Sequence, residues 1–257
     1  MVVLAILVVG ASVAFAVCGT LIGRRLVRNN MAAFHNEIVI SLFAAAGVVY
    51  AVLLGFLVVV VWEAYDGAHH NLADEAATLV PLYRLTYGME AAEGKEFRGL
   101  IRTYADAVIH DEWPTLGSSV AGSQKARRAI GDIDRVFARI DAQTKQHDAL
   151  IDAEFLRTKS KVLADRNERL IEASDRIPWI MWLGAVGGGL IVMVMSFFMY
   201  MERVWPHVLM AGLMGGLIGL LLFIMSTLSS PFTGPLALGP EHFQYAVQIM
   251  NDDDEGD

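Results

Sequence analysis

Four apolar runs, residues 2–23, 38–61, 179–201 and 205–228, carry no Asp, Glu, Lys or Arg at their centres. Each is long enough to cross a hydrocarbon core of ~30 Å, which takes about 20 residues of helix. Inside lipid every backbone N–H and C=O must be satisfied within the segment, so unbroken apolar runs of this length fold as membrane-spanning helices. The predicted class is an all-α membrane protein: four transmembrane helices plus an inserted extramembrane helical bundle or stalk. The chain divides into residues 1–61 (spans 1 and 2), 62–178 (extramembrane domain), 179–228 (spans 3 and 4) and 229–257, a C-terminal segment with an acidic tail.

Charge then narrows the partners. A net charge of −8 argues against a nucleic-acid partner, which needs a basic face to displace counterions. Much of the negative charge lies in 63–112 and in the tail Asp252, Asp253, Asp254, Glu255 and Asp257. The single cysteine, Cys18, lies in an apolar run, so neither a disulfide nor a cysteine-based metal site forms within one chain. Orientation is read from arginines near the span ends. Arg24, Arg25 and Arg28 in connector 24–37, with Arg203 in connector 202–204, mark those loops as cytoplasmic. The 62–178 domain then lies on the outer face.

The domain reads as helical throughout. Leucines recur at Leu72, Leu79 and Leu82 beyond the second span, with no proline before Pro81, and Gly88 and Gly94 mark a turn. A second helix over about 95–112 ends at Glu112-Trp113-Pro114, where proline stops it. Gly117-Ser118-Ser119 and Gly122-Ser123 form a loop, with Ser123 placed to cap the next helix. The series Ala126, Ile130, Ile133, Phe137, Ile140, Thr144, His147, Ile151 steps alternately by four and three, a coiled-coil seam. From there either one long helix feeds the third span or Gln143–Asp148 turns back as a hairpin; two helices are the preferred reading. After the fourth span, Ser229 to Pro235 is too rigid for a helix. Leu236–Phe243 is expected to return along the interface, before a short helix over Gln244–Met250.

No enzyme motif is present: there is no glycine-rich phosphate loop and no HExxH, and His69-His70 has no third ligand at a recognised spacing. The informative stretch is the exit of the second span. Glu63, Asp66, His70 and Asp74 fall on one helical stripe, which continues backwards through Val59, Phe56, Val52 and Val49. In an oligomer this face would make a constriction from Phe56, Val52 and Val59, then an acidic mouth from Glu63, Asp66 and Asp74, the pattern of a cation path. The plainer reading is a solvated helix face. Glu63, Asp66 and His70 also offer oxygen and imidazole donors to a divalent cation; no other cofactor is implied. Gly184 and Gly188, and Gly212 and Gly216, are four apart and would let helices pack closely.

Several of these stretches together resemble the bacterial bestrophin-like domain family. They are Val49 to Phe56, Trp62-Glu63, Tyr65-Asp66, Glu75-Ala76, Leu82-Tyr83-Arg84, Tyr104 to Pro114, Arg166–Leu170 and Ser230 to Gly234, covering roughly residues 35–248. Bestrophins are pentameric anion channels of the membrane with an aromatic and apolar neck on the second span and a cytosolic bulky region. The resemblance therefore implies a homo-oligomer in the bacterial inner membrane, with Phe56 as the neck aromatic. The acidic run after the second span departs from an anion path, because a ring of carboxylates repels anions. Two functions stay open: an ion channel lined by the second span, and a non-conducting sensor or scaffold whose external domain binds a ligand or partner.

Overall fold

A computed structural model describes residues 2–27, 33–116, 122–143, 149–174, 177–199, 201–234 and 236–255. Its helices are α1 (Val2–Val27), α2 (Ala33–Leu85), α3 (Ala91–Ala107), α4 (Gln124–Gln143), α5 (Ala149–Ser174), α6 (Trp179–Phe197), α7 (Val204–Leu228) and α8 (Glu241–Glu255). Among the described residues there is no strand, and α1, α2, α6 and α7 are long and apolar enough to cross a membrane. Arg28, the 117–121 loop residues, Thr144, His147, Arg176, Pro235 and Asp257 lie outside the described residues.

The chain forms two compact units. The first holds Met1–Ala64 and Arg176–Ser229, the second Tyr65–Asp175 and Ser230–Asp257. In the first, α1 and α7 pack through small residues. A Cβ on Gly215 would stand 2.7 Å from the Ala16 Cβ, and one on Gly219 would stand 2.8 Å from the Ser12 Cβ. Such close approach is how helices gain dispersion energy where lipid provides no hydrophobic drive. Gly212 and Gly216 sit beside this line, at ordinary contact with Val17 and Val13. Gly188 faces the Tyr50 ring, where a Cβ would come within 2.6 Å, and Gly184 faces Leu53. The Tyr50 hydroxyl donates to the Ala185 carbonyl at 2.9 Å, inside a π-turn (Leu183–Gly187) of α6. Arg24 donates to the Met201 and Glu202 carbonyls at 2.6 and 2.8 Å, so the end of α1 and the α6–α7 connector share one end of this unit.

The second unit is a helical bundle. Leu72, Leu79, Leu82 and Tyr83 of α2 meet Phe97, Ile101 and Tyr104 of α3, with Ala126, Ile130 and Ile133 of α4 and Phe155 and Val162 of α5. Burial stabilises by roughly 1.5–3 kcal/mol for each large apolar side chain. That packing carries α2 through Pro81, although proline removes one helix hydrogen bond. Ser123 caps α4, its Oγ accepting from the amides of Lys125 (3.1 Å) and Ala126 (3.4 Å). Helices α4 and α5 are separate and antiparallel, with Phe137 stacked on Phe155 and Asp134 paired with Lys159.

Helix α3 starts at Ala91 and stops at Ala107, and Val108–Glu112 continues as a π-turn rather than as α-helix. After the fourth span, the short helix expected over Gln244–Met250 is α8, Glu241–Glu255. Phe243, Ala246 and Met250 form an apolar stripe of α8 that is buried in the bundle core, so this segment belongs to the second unit. Its acidic end is pinned there: Asp253 takes two bonds from Arg84 at 2.8 and 3.0 Å, and Asp254 accepts from Tyr83 (2.8 Å) and Tyr87 (2.6 Å).

Candidate functional site: an exposed face of α2 and a buried charge network

Helix α2 has two faces of opposite character. Tyr50, Leu54, Leu57 and Val61, then Ala68, Leu72, Ala76 and Leu79, are buried at steps of three and four. The other face is open within its own chain. Val49 is 70% exposed, Val52 54%, Phe56 68% and Val59 51%, and Glu63, Asp66, His70 and Asp74 are exposed as well. Val49 to Glu63 of this series lie in the first unit and Asp66, His70 and Asp74 in the second, where His70 Nε2 stands 3.5 Å from Asp66. Among the described residues, no group of three or more His, Cys, Asp or Glu side chains could hold a metal ion.

The buried face carries one charged residue, Glu75, fully shielded from solvent. Arg169 of α5 reaches it with Nε at 2.6 Å and Nη2 at 3.2 Å. The same Nη2 also bonds Glu112 at 2.7 Å, and Arg166, one turn earlier on α5, bonds the other Glu112 oxygen at 2.6 Å. Tyr104 donates to Glu75 at 2.5 Å, and the Ser123 amide donates to Glu112 at 2.6 Å. Two carboxylates and two guanidiniums therefore alternate in a chain joining α2, the π-turn after α3, and α5. The Arg169 guanidinium also lies 5.7 Å from the Trp113 ring and 5.6 Å from the Phe243 ring, which places cation–π contacts on its faces. Its Nη1 has no hydrogen-bond partner among the described residues.

Local backbone explains how the cluster closes. The π-turn inserts one extra residue per turn and brings Glu112 inward, a use of π-bulges that recurs at functional sites. Gly122 then runs across the network with φ +61°, a left-handed conformation open to glycine. A Cβ there would stand 2.7 Å from Glu112 Oε2 and 2.8 Å from Arg166 Nη2. Trp113 completes the cover, donating Nε1–H to the Leu238 carbonyl at 3.2 Å and meeting Phe232 edge-on.

The electrostatics follow. Burial alone would push the Glu112 carboxyl up, but the Arg169 and Arg166 guanidiniums outweigh it and hold it below the usual carboxylate range. Burial would lower Arg169, but Glu75, with Tyr104 and Glu112, together raises it further, so it stays charged. Tyr104 is pushed well above its ordinary value by burial and by the Glu75 charge, so it remains a donor. The directions found for Glu112, Arg169 and Tyr104 keep an anion, a cation and a hydroxyl donor in place, which suits a rigid fixture.

Sequence reasoning named Glu75, Tyr104, Glu112-Trp113, Arg166–Arg169 and Phe232 as separate stretches without seeing that they meet. The available signal was charge placement: Glu75 follows a buried step of α2, and two arginines three apart sit on the α5 stripe with Leu170.

Comparisons with known proteins place this geometry. The model of the bestrophin-like domain matches residues 10–243. Three crystal structures of a bacterial bestrophin homologue from Klebsiella pneumoniae share the fold. One carrying a point mutation is 11% identical with a TM-score of 0.75, covering 95% of this chain and 96% of that one. A second mutant is 11% identical with a TM-score of 0.74, covering 95% and 98%. A structure phased on zinc is 11% identical with a TM-score of 0.73, covering 94% and 96%. No curated protein matches the chain.

Proposed function

The chain belongs to the bestrophin-like domain family, a family of channel-like membrane proteins, and on that premise we propose that copies of it assemble around an axis lined by α2 and conduct cations. The observation that carries this reading is the exposed stripe of α2. Burying such a face between subunits removes apolar area from lipid contact and aligns Phe56, with Val52 and Val59, as a ring. A ring of this kind narrows the path and excludes water unless an ion is driven through. Glu63, Asp66 and Asp74 follow on the same stripe. Repeated by symmetry they make a carboxylate mouth that concentrates cations and repels anions. The Glu75–Arg169–Glu112–Arg166 network supports the arrangement by locking the second unit's part of α2 to α5. Only one rotation of α2 then satisfies Glu75, and that rotation presents Asp66 and Asp74 outward. We place the assembly in the bacterial inner membrane.

The test is flux through liposomes holding the purified protein. Phe56→Ala is expected to raise cation flux, and Glu63→Gln with Asp66→Asn to lower the cation-to-anion permeability ratio. No flux from the wild-type chain, with both variants indistinguishable from it, would sink the proposal. A determined oligomer with no axial passage would favour the non-conducting scaffold instead.

A further inference from the structure

His69 on α2 and His242 at the start of α8 are 173 positions apart, yet their Nε2 atoms stand 3.5 Å from each other. Both rings are half-buried. We propose that this pair binds a tetrahedral first-row divalent cation, zinc being the chemical match. Two ring nitrogens each about 2.1 Å from a tetrahedral ion lie roughly 3.4 Å apart. The observed separation fits, whereas a sound hydrogen bond between imidazoles would be about 2.7–3.2 Å. Ring placement agrees. The centroids are 5.3 Å apart. A straight N–H···N contact at this nitrogen separation would hold them roughly 5.8 Å apart. The ring axes are therefore bent, as they are when two imidazoles address a common point.

The surroundings suit a cation. Glu241 sits beside His242 in the first turn of α8 and supplies negative charge near a site that metal binding makes positive. One turn before His69, the Tyr65 hydroxyl donates to the Leu236 carbonyl at 2.9 Å, holding the segment that leads into α8 against α2. His70 is not part of the pair, because its Nε2 turns to Asp66. Two imidazoles leave the other positions to water, so the site is open and binds more weakly than a closed four-ligand structural site. Its effect is to clip the C-terminal helix to α2.

The experiment uses the full chain in detergent, stripped with a chelator and titrated with zinc alone. One equivalent per chain is expected in the wild type. His69→Gln and His242→Gln should each weaken that equivalent at least tenfold, and His70→Gln should leave it unchanged. Zinc X-ray absorption on the wild type guards against a variant that fails to fold: a shell with two imidazole nitrogens supports the site, and an oxygen-only shell overturns it. Unchanged binding in both His69→Gln and His242→Gln, or loss through His70→Gln alone, also overturns it.

Discussion

Replacing Arg169 with Met keeps an unbranched apolar stem and removes the guanidinium with its charge and three bonds. In the wild type those bonds run at 2.6 and 3.2 Å to Glu75 and at 2.7 Å to Glu112, all fully buried. Among the described residues, Glu112 keeps Arg166 and the Ser123 amide, while Glu75 keeps the Tyr104 hydroxyl. The variant thus buries a carboxylate without a cation. Removing one partner of a buried pair costs about 3–5 kcal/mol. Native-state hydrogen exchange in detergent reads this unit directly, because amides in α3 and α5 open with it. Exchange there is expected to accelerate by roughly 10²- to 4 × 10³-fold, with each 1.4 kcal/mol giving a factor of ten. Arg169→Lys should fall between, since an ammonium keeps the charge but not the planar fork that reaches both carboxylates. Exchange in Arg169→Met within about threefold of wild type would refute the claim that this network holds the bundle.

Gly122→Ala forces a left-handed backbone on a side chain aimed at Glu112 and Arg166, and should destabilise the second unit by about 1–3 kcal/mol, measured by thermal unfolding. Glu112 has a folded pKa below its unfolded one. Its contribution is therefore present above the unfolded carboxylate value and is lost as pH falls through the lowered one, below about pH 4. Glu112→Gln should flatten the acid limb of the stability curve. In the first unit, Gly215→Val drives a branched side chain into the Ser12 carbonyl and Ala16, and should cost about 1–3 kcal/mol, read as lower thermal stability in detergent. In a Cys18→Ala background, Ser119→Cys should label from outside intact cells if the arginine count governs orientation. Labelling only after permeabilisation would place the domain inside, as the bestrophin resemblance implies.

The spans were legible in the sequence because the demand on them is local. A helix in lipid satisfies its own backbone, so apolar length alone identifies α1, α2, α6 and α7. The exposed stripe of α2 was legible for a related reason, since 3.6-residue periodicity places Phe56 and Asp66 on one face whatever the rest of the chain does. Helicity of the domain, the Ser123 cap and the break at Pro114 are also short-range facts. What only the tertiary structure decided depends on distant segments meeting. Glu75, Glu112 and Arg169 could each have been solvated side chains until α5 turned antiparallel to α4 and the π-turn brought Glu112 inward. No local pattern pairs the acidic tail; Phe243 and Met250 bury α8 in the core and so bring Asp253 and Asp254 to arginines of α2 and α3. His69 lacked a partner for the same reason. Its partner lies 173 positions on, and no spacing rule spans a contact made by packing.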